Sequence, residues 1–250
     1  IRLMLEEDAT IPNKILEETE SIEWTIRRVV QAFSKGGRLF YCGAGTSGRL
    51  GVLDASECPP TFRTPPDLVQ GIIAGGRTAL WSAVEGAEDD RAAGGSSVAF
   101  RDIGPEDVVI GITASGHAPF VWGCLADAKQ RGATTVLVGC NPAYREHPLL
   151  DGAILPDTGP EVLTGSTRLK AGTATKLILN LITTLAMTHS GKVMSNLMID
   201  LNPSNTKLRD RAVRIVRELA EVDEEAARAA LEEKGWVVRD AIEALAPETA

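Results

Sequence analysis

The sequence is short of the residues that build metal centres and disulfide frameworks. It has three histidines, His117, His147 and His189, and four scattered cysteines, Cys42, Cys58, Cys124 and Cys140, none in a C-x-x-C pair. Neither a zinc site nor a disulfide scaffold is indicated; four reduced thiols in buried or half-buried places are expected. Runs of Lys and Arg are also missing, and 26 basic against 34 acidic residues leave a formal net charge of −8. Such a surface does not neutralise a phosphate backbone or an anionic bilayer, so neither nucleic acid nor membrane is an expected partner. The longest apolar run, Leu177 to Met187, is interrupted by Asn180, Thr183 and Thr184. It falls short of the roughly 20 apolar residues that cross a bilayer. The chain starts at Ile1, and nothing there resembles a basic-then-apolar secretion signal. A soluble, cytoplasmic protein is the expectation. What is plentiful is apolar residue, 44%, and glycine, 24 of 250 residues, enough for one large core with a small appendage.

Ile15, Ile22, Ile26, Val29, Val30 and Phe33 recur at helical spacing between Pro12 and Lys35, and Gly36-Gly37 follows as a stop. One helix is predicted there. Four short apolar runs come next, Arg38–Cys42, Leu68–Ala74, Asp107–Thr113 and Thr134–Cys140, each leading through glycine or a turn into a helical pattern. Continuous apolar strands alternating with helices predict an α/β fold, a doubly wound parallel sheet covered by helices on both faces. Ligands of such sheets bind beyond the carboxyl ends of the strands. A Pro-free helix over 169–190 is placed on the back of the sheet. Past Leu208 the composition turns to Ala, Glu and Arg, with helices predicted at 209–221, 223–233 and 236–246. The expected organisation is a helical segment over 1–28, the main domain over 29–194 and a small helical region over 195–250.

Two strand ends look alike. Leu39–Cys42 runs into Gly43-Ala-Gly-Thr-Ser-Gly48, and Val108–Ile112 runs into Thr113-Ala-Ser-Gly116-His117. The first contains a literal G-x-G-x-x-G, but the second strand ends Ile73-Ala-Gly-Gly-Arg77 without the acidic residue that would hold an NAD ribose. Arg77 leaves an opening for an NADP phosphate. A nucleoside-triphosphate loop is disfavoured, because Arg49 and Leu50 stand where Lys and a hydroxyl are needed. Hydroxyls and free amides at a helix start suit a single phosphate monoester, so Thr46, Ser47 and Ser115 point to a small phosphorylated ligand, with plain helix caps as the alternative. Two acidic places lie near this edge: Glu57, before Pro59-Pro60, and the run Glu85, Glu88, Asp89 and Asp90. Paired carboxylates can serve as acid and base. The neighbours of Glu57, Ala55, Cys58 and two prolines, suggest a desolvated carboxyl able to donate a proton near neutrality. The alternative is a helix-end charge and a solvated acidic face.

The stretch Cys42-Gly-Ala-Gly-Thr-Ser-Gly-Arg-Leu-Gly-Val-Leu-Asp-Ala-Ser-Glu-Cys-Pro-Pro-Thr-Phe62 closely resembles the signature of N-acetylmuramic acid 6-phosphate etherases, a family of the sugar isomerase (SIS) superfamily. Ile73–Gly76, Ala83–Asp89, Pro160–Ala174 and the segment from Gly191 to Met198 are similar to the family in order and spacing. The resemblance runs from about Glu7 to Arg209, more weakly through the helical tail. It implies cleavage of the D-lactyl ether of the substrate to N-acetylglucosamine 6-phosphate and D-lactate, with no cofactor and no metal. It further implies Glu57 as proton donor to lactate, Glu88 as acid/base at C2, and a substrate pocket drawn from Thr46, Ser47, Gly48, Ser115, Gly116, His117, Ser166, Thr167 and Lys170. A surface charge in the first helical turn is the alternative for Lys170. The implied partners are a phosphorylated amino sugar and a second copy of the chain, with the site near the dimer interface.

One departure stands out: Ser115-Gly-His-Ala-Pro119 replaces the usual Ser-Gly-Arg-Thr-Pro, exchanging a bidentate guanidinium for one imidazole. Competing readings are a non-catalytic phosphosugar sensor of the glucokinase regulatory type and an aldose–ketose isomerase. Retention of both glutamates in a single domain favours the lyase.

Overall fold

The computed structural model describes residues 1–246 of the chain. Two compact units are present, one of residues 1–56 and 67–186, the other of residues 57–66 and the chain from 187 onward.

The first unit opens with α1 (Arg2–Asp8), α2 (Ile11–Leu16) and α3 (Thr19–Ser34). The single helix expected over Pro12–Lys35 is therefore two. Thr19 Oγ1 donates to Leu16 O at 2.6 Å, closing a turn, and the buried Glu18 is drawn into a two-bond pair with Arg145 at 2.5 and 3.1 Å. A side-chain hydroxyl that takes a backbone carbonyl, as Thr19 does, competes with the helical ladder.

A five-stranded sheet follows, built from β1 (Leu39–Gly43), β2 (Val69–Ile73), β3 (Val108–Ile112), β4 (Thr134–Val138) and β5 (Gly152–Ile154). The order is β2-β1-β3-β4-β5 and every pairing is parallel, with Leu39 opposite both Val69 and Val108. β1 and β3 are buried along their whole length, which is why their sequences run apolar without alternation. The doubly wound α/β expectation holds. The crossovers are α4 (Gly45–Phe62), α5 (Arg91–Phe100) and α6 (Pro119–Gln130), and α7 (Lys170–His189) completes the unit. β5 escaped the sequence because it is three residues long. α4 also corrects an expectation, since it runs through Pro59 and Pro60 instead of stopping before them. Prolines in the last turn remove only their own two N–H donors, and Pro59 O still accepts from Arg63 N at 3.0 Å.

In the second unit, β6 (Val193–Met194) and β7 (Leu197–Met198) form a small antiparallel hairpin. Three helices follow close to their predicted places: α8 (Thr206–Ala220), α9 (Glu224–Glu233) and α10 (Val238–Leu245). The Asn205 side chain caps α8 at Leu208 N and Asp223 caps α9 at Ala226 N. Val213, Val216, Leu231 and Val238 are central to their shared core.

Candidate active site

The strand order reverses between β1 and β3: the chain leaves β1 toward one edge of the sheet and β3 toward the other. A crevice at the carboxyl ends of two such strands is where parallel α/β sheets bind ligands. Here it is bounded by the loop joining β1 to α4 and by the Thr113–Ala118 loop after β3.

Close backbone packing shapes the first loop. A Cβ on Gly43 would stand 2.6 Å from Gly48 N, and one on Gly48 would meet Ile73 Cγ1 at 2.6 Å and Gly43 O at 2.7 Å. Only glycine fits at both positions. The first helical bond of α4 runs from Gly48 N to Ala44 O at 3.2 Å, so the amides of Gly45, Thr46 and Ser47 precede the ladder and are free for an anion. In the second loop, Ser115 Oγ accepts from His117 N at 3.3 Å, which leaves its own O–H to donate.

A cavity of about 210 Å³ fills the crevice. Thr46 and Ser47 line it from one side, Ser115 and Ala118 from the other, and Glu88 and Thr167 complete the wall. The structure thus brings together five residues expected from the sequence: Thr46, Ser47, Ser115, Thr167 and Glu88. Glu88 sits in a short 3-10 turn, Ala87–Asp89. Within the acidic run Asp90 has a different task, capping α5 by accepting from Ala93 N at 2.8 Å. A Cβ on Gly172, in the first turn of α7, would lie 3.7 Å from Thr46 Cγ2 and 3.6 Å from Thr167 O, so the start of α7 packs beside the start of α4.

The other expected residues stand elsewhere. Gly48 and Gly116 are buried supports of the two loops, and Ser166 is half-buried one residue before Thr167. His117 is exposed and meets the Tyr144 ring edge-on, with centroids 6.1 Å apart. Lys170 is 3% exposed and not a surface charge; its ammonium pairs with Glu7 at 2.7 Å, while its backbone N–H and that of Ala171 are capped by Glu161 at 2.9 and 3.0 Å. Glu57 lies on α4 and is not among the residues that line the cavity. It is exposed among the described residues, which do not supply the desolvated surroundings anticipated from its neighbours in sequence.

One buried carboxylate went unremarked in the sequence. Asp54, on the inner face of α4, accepts from Tyr41 Oη at 2.9 Å, from Asn180 Nδ2 at 2.8 Å and from Thr183 Oγ1 at 3.2 Å, tying α4 to β1 and α7. Burial raises its pKa above the ordinary value, against the hydrogen bonds that favour the ionised form. Its signal in sequence is a lone Asp among apolar helical positions, facing Asn180 and Thr183 that interrupt an otherwise apolar helix. Among the described residues no group of three or more His, Cys, Asp and Glu is placed to hold a metal ion, and no helix is long and apolar enough to cross a membrane.

A parallel sheet in this order, with two hydroxyl-bearing loops meeting at its switch point, is the architecture of a sugar isomerase (SIS) domain, and similarity to known proteins places it in that class. A phosphoheptose isomerase from Francisella tularensis superposes with a TM-score of 0.61 at 16% identity, over 75% of this chain and 96% of that one. One from Neisseria gonorrhoeae gives 0.58 at 15% identity over the same shares. Residues 21–129 match the glucokinase regulatory protein N-terminal SIS domain, and residues 195–242 match the C-terminal lid domain of glucokinase regulatory protein. The full-length likeness is narrower. An N-acetylmuramic acid 6-phosphate etherase from Gloeobacter violaceus is 52% identical over 97% of this chain and 79% of its own, and one from Symbiobacterium thermophilum is 50% identical over 98% and 81%. The chain belongs to the N-acetylmuramic acid 6-phosphate etherase family.

Proposed function

We propose that this protein is a carbon–oxygen lyase that cleaves the D-lactyl ether of N-acetylmuramic acid 6-phosphate, giving N-acetylglucosamine 6-phosphate and D-lactate. The observation that carries this reading is the placement of Glu88 in one cavity with the hydroxyls of Thr46, Ser47 and Ser115, in a chain half identical to named etherases over nearly its full length. An ether oxygen is a poor leaving group, but ring opening exposes the C1 aldehyde, which acidifies the proton on C2. Glu88 removes that proton, the C3–O bond breaks as the lactate oxygen is protonated, and a C2–C3 double bond remains. Water then adds its hydroxyl to C3 and a proton returns to C2. Substrate and one water become the two products, and no redox or metal step enters.

Thr46, Ser47 and Ser115, with the free amides at the start of α4, hold the 6-phosphate; Gly48 and Gly116 let the two loops approach it, and Ser166, Thr167, His117 and Lys170 complete the surroundings of the sugar. Glu57 donates the proton to departing lactate. Its absence from the lining of the cavity agrees with a homodimer in which it serves the cavity of a second copy. Residues 29–194 form the phosphosugar domain in this reading, with flanking regions over 1–28 and 195–250, of which 247–250 lie outside the described residues. Its setting is the cytoplasm, in the recycling of cell-wall amino sugars.

Incubation with N-acetylmuramic acid 6-phosphate in deuterated water tests the reading. D-lactate together with deuterium at C2 is expected; lactate without deuterium at C2 rejects the elimination route. The match to models of glucokinase regulatory protein domains favours one second reading, a phosphosugar sensor. Binding of the phosphosugar without any lactate release is its signature.

A further inference from the structure

The loop after β3 has no ladder of its own, yet three successive carbonyls in it are each taken by a donor from outside. Ala114 O accepts from Cys140 N at 2.9 Å, Ser115 O from Asn141 Nδ2 at 3.0 Å and Gly116 O from the buried Trp122 Nε1 at 2.7 Å. In a trans peptide the N–H points opposite to the C=O of the same unit. Drawing these carbonyls away therefore turns the amides of Ser115 and Gly116 to the other side, the arrangement of a backbone anion nest. Tyr144 fixes the conformation further. A Cβ on Gly116, whose φ is +84°, would lie 2.0 Å from Tyr144 Cε2, so the ring occupies the space beside the loop and a larger residue there must displace it. Tyr144 also packs on Trp122 with centroids 5.4 Å apart, and Asn141 Oδ1 caps the Pro142–Tyr144 turn at Ala143 N, 3.1 Å away.

We propose that Trp122, Asn141 and Tyr144 are positioning residues that hold the Ser115-Gly116 amides as a preformed nest for the substrate's phosphate. The inference rests on the reading of this cavity as a phosphosugar site, and it adds where the order of the second loop comes from. Position 117 carries one exposed imidazole that meets a protein ring, so the loop does not depend on a long charged side chain closing over the ligand. Order supplied before binding lowers what binding itself must supply.

Trp122→Phe keeps the ring packing and removes the N–H. Titration calorimetry with N-acetylglucosamine 6-phosphate and with inorganic phosphate is expected to show affinity about 3- to 10-fold weaker, the worth of one such hydrogen bond. The affinity of unphosphorylated N-acetylglucosamine is expected to be unchanged. In turnover KM rises by the same factor while kcat holds. Asn141→Ala, a milder change on a half-buried residue, is expected to move the phosphate affinity in the same direction. Equal weakening for the phosphorylated and the unphosphorylated sugar, or unchanged phosphate affinity in both folded variants, overturns the proposal. A double-mutant cycle gives an independent check: Gly116→Ala is expected to weaken phosphate binding, and Tyr144→Ala in the same chain to restore part of it. Additive losses contradict the steric claim. Because the calorimetry needs no turnover, a wild type that binds phosphate but releases no lactate overturns the lyase reading and leaves this comparison decisive for the nest.

Discussion

The two loops that form the cavity solve one problem in different ways. The loop after β1 supports itself: Gly43 and Gly48 lie against each other's backbone, and the helix that follows is anchored by the buried Asp54 carboxylate. The loop after β3 is held from outside, by Trp122 from α6 and by Asn141 and Tyr144 from the segment after β4. The difference lies in what can yield. Backbone packed on backbone has no rotamer to change, whereas a ring resting on a glycine can swing aside at a smaller cost.

Breaking the first loop is expected to have the largest effect. Gly43→Ala forces a Cβ to within 2.6 Å of Gly48 N and 2.8 Å of Gly48 Cα. It is expected to cost about 3 kcal/mol of stability, the upper end for overpacking, together with phosphosugar binding, as read by denaturant melts and calorimetry. Asp54→Ala comes next, at about 2 kcal/mol, because it removes one acceptor that Asn180 Nδ2, Tyr41 Oη and Thr183 Oγ1 share and that ties α4 to β1 and α7. Gly116→Ala is expected to cost less, about 1 kcal/mol, since its clash is with the side chain of Tyr144 and the remaining penalty is a positive φ. Equal melting shifts for Gly43→Ala and Gly116→Ala would erase the contrast between the loops.

The smallest effect is a pH dependence. A carboxyl whose folded-state pKa stands above its unfolded value binds its proton more tightly when folded. The stability it contributes is complete below the unfolded value, about 4 for Asp, and is lost as pH rises through the folded one. Burial raises Asp54 in this way. Asp54→Asn removes the titration, so thermal melts from pH 4 to pH 7 are expected to move in favour of the variant relative to wild type. A difference independent of pH would show that Asp54 does not titrate differently on folding.

The same contrast explains what the sequence made legible. The first loop is largely local: strand, Gly43, Thr46, Ser47, Gly48 and helix lie in one short stretch, and Gly43 and Gly48 pack on each other's backbone, with Ile73 the one distant neighbour. Thr46, Ser47 and Ser115 could be named before the fold because each sits where a strand end leads through Ser-Gly toward a helix, whereas Glu88 and Thr167 came from the family resemblance. The supports of the second loop come from six to nearly thirty residues downstream, and no motif near the loop names them. Lys170 shows the same limit, since its buried pairing with Glu7 spans 163 positions. β5 was too short for its periodicity to register, and the break before α3 lies at one turn closed by Thr19 Oγ1 on Leu16 O, which an apolar period does not report. Glu57 illustrates a further one: flanking apolar residues in sequence say little about burial on a helix, where neighbours in order face different sides.

The most direct measurement is deuterium exchange at C2 by Glu88→Gln, compared with wild type, in deuterated water with N-acetylmuramic acid 6-phosphate and with N-acetylglucosamine 6-phosphate. Both exchange and lactate release are expected to fall by at least about 100-fold, the low end for losing a positioned acid/base group, while calorimetry still shows the phosphosugar bound. Exchange at the wild-type rate in that variant would place the base outside this cavity's carboxylate and contradict the assignment.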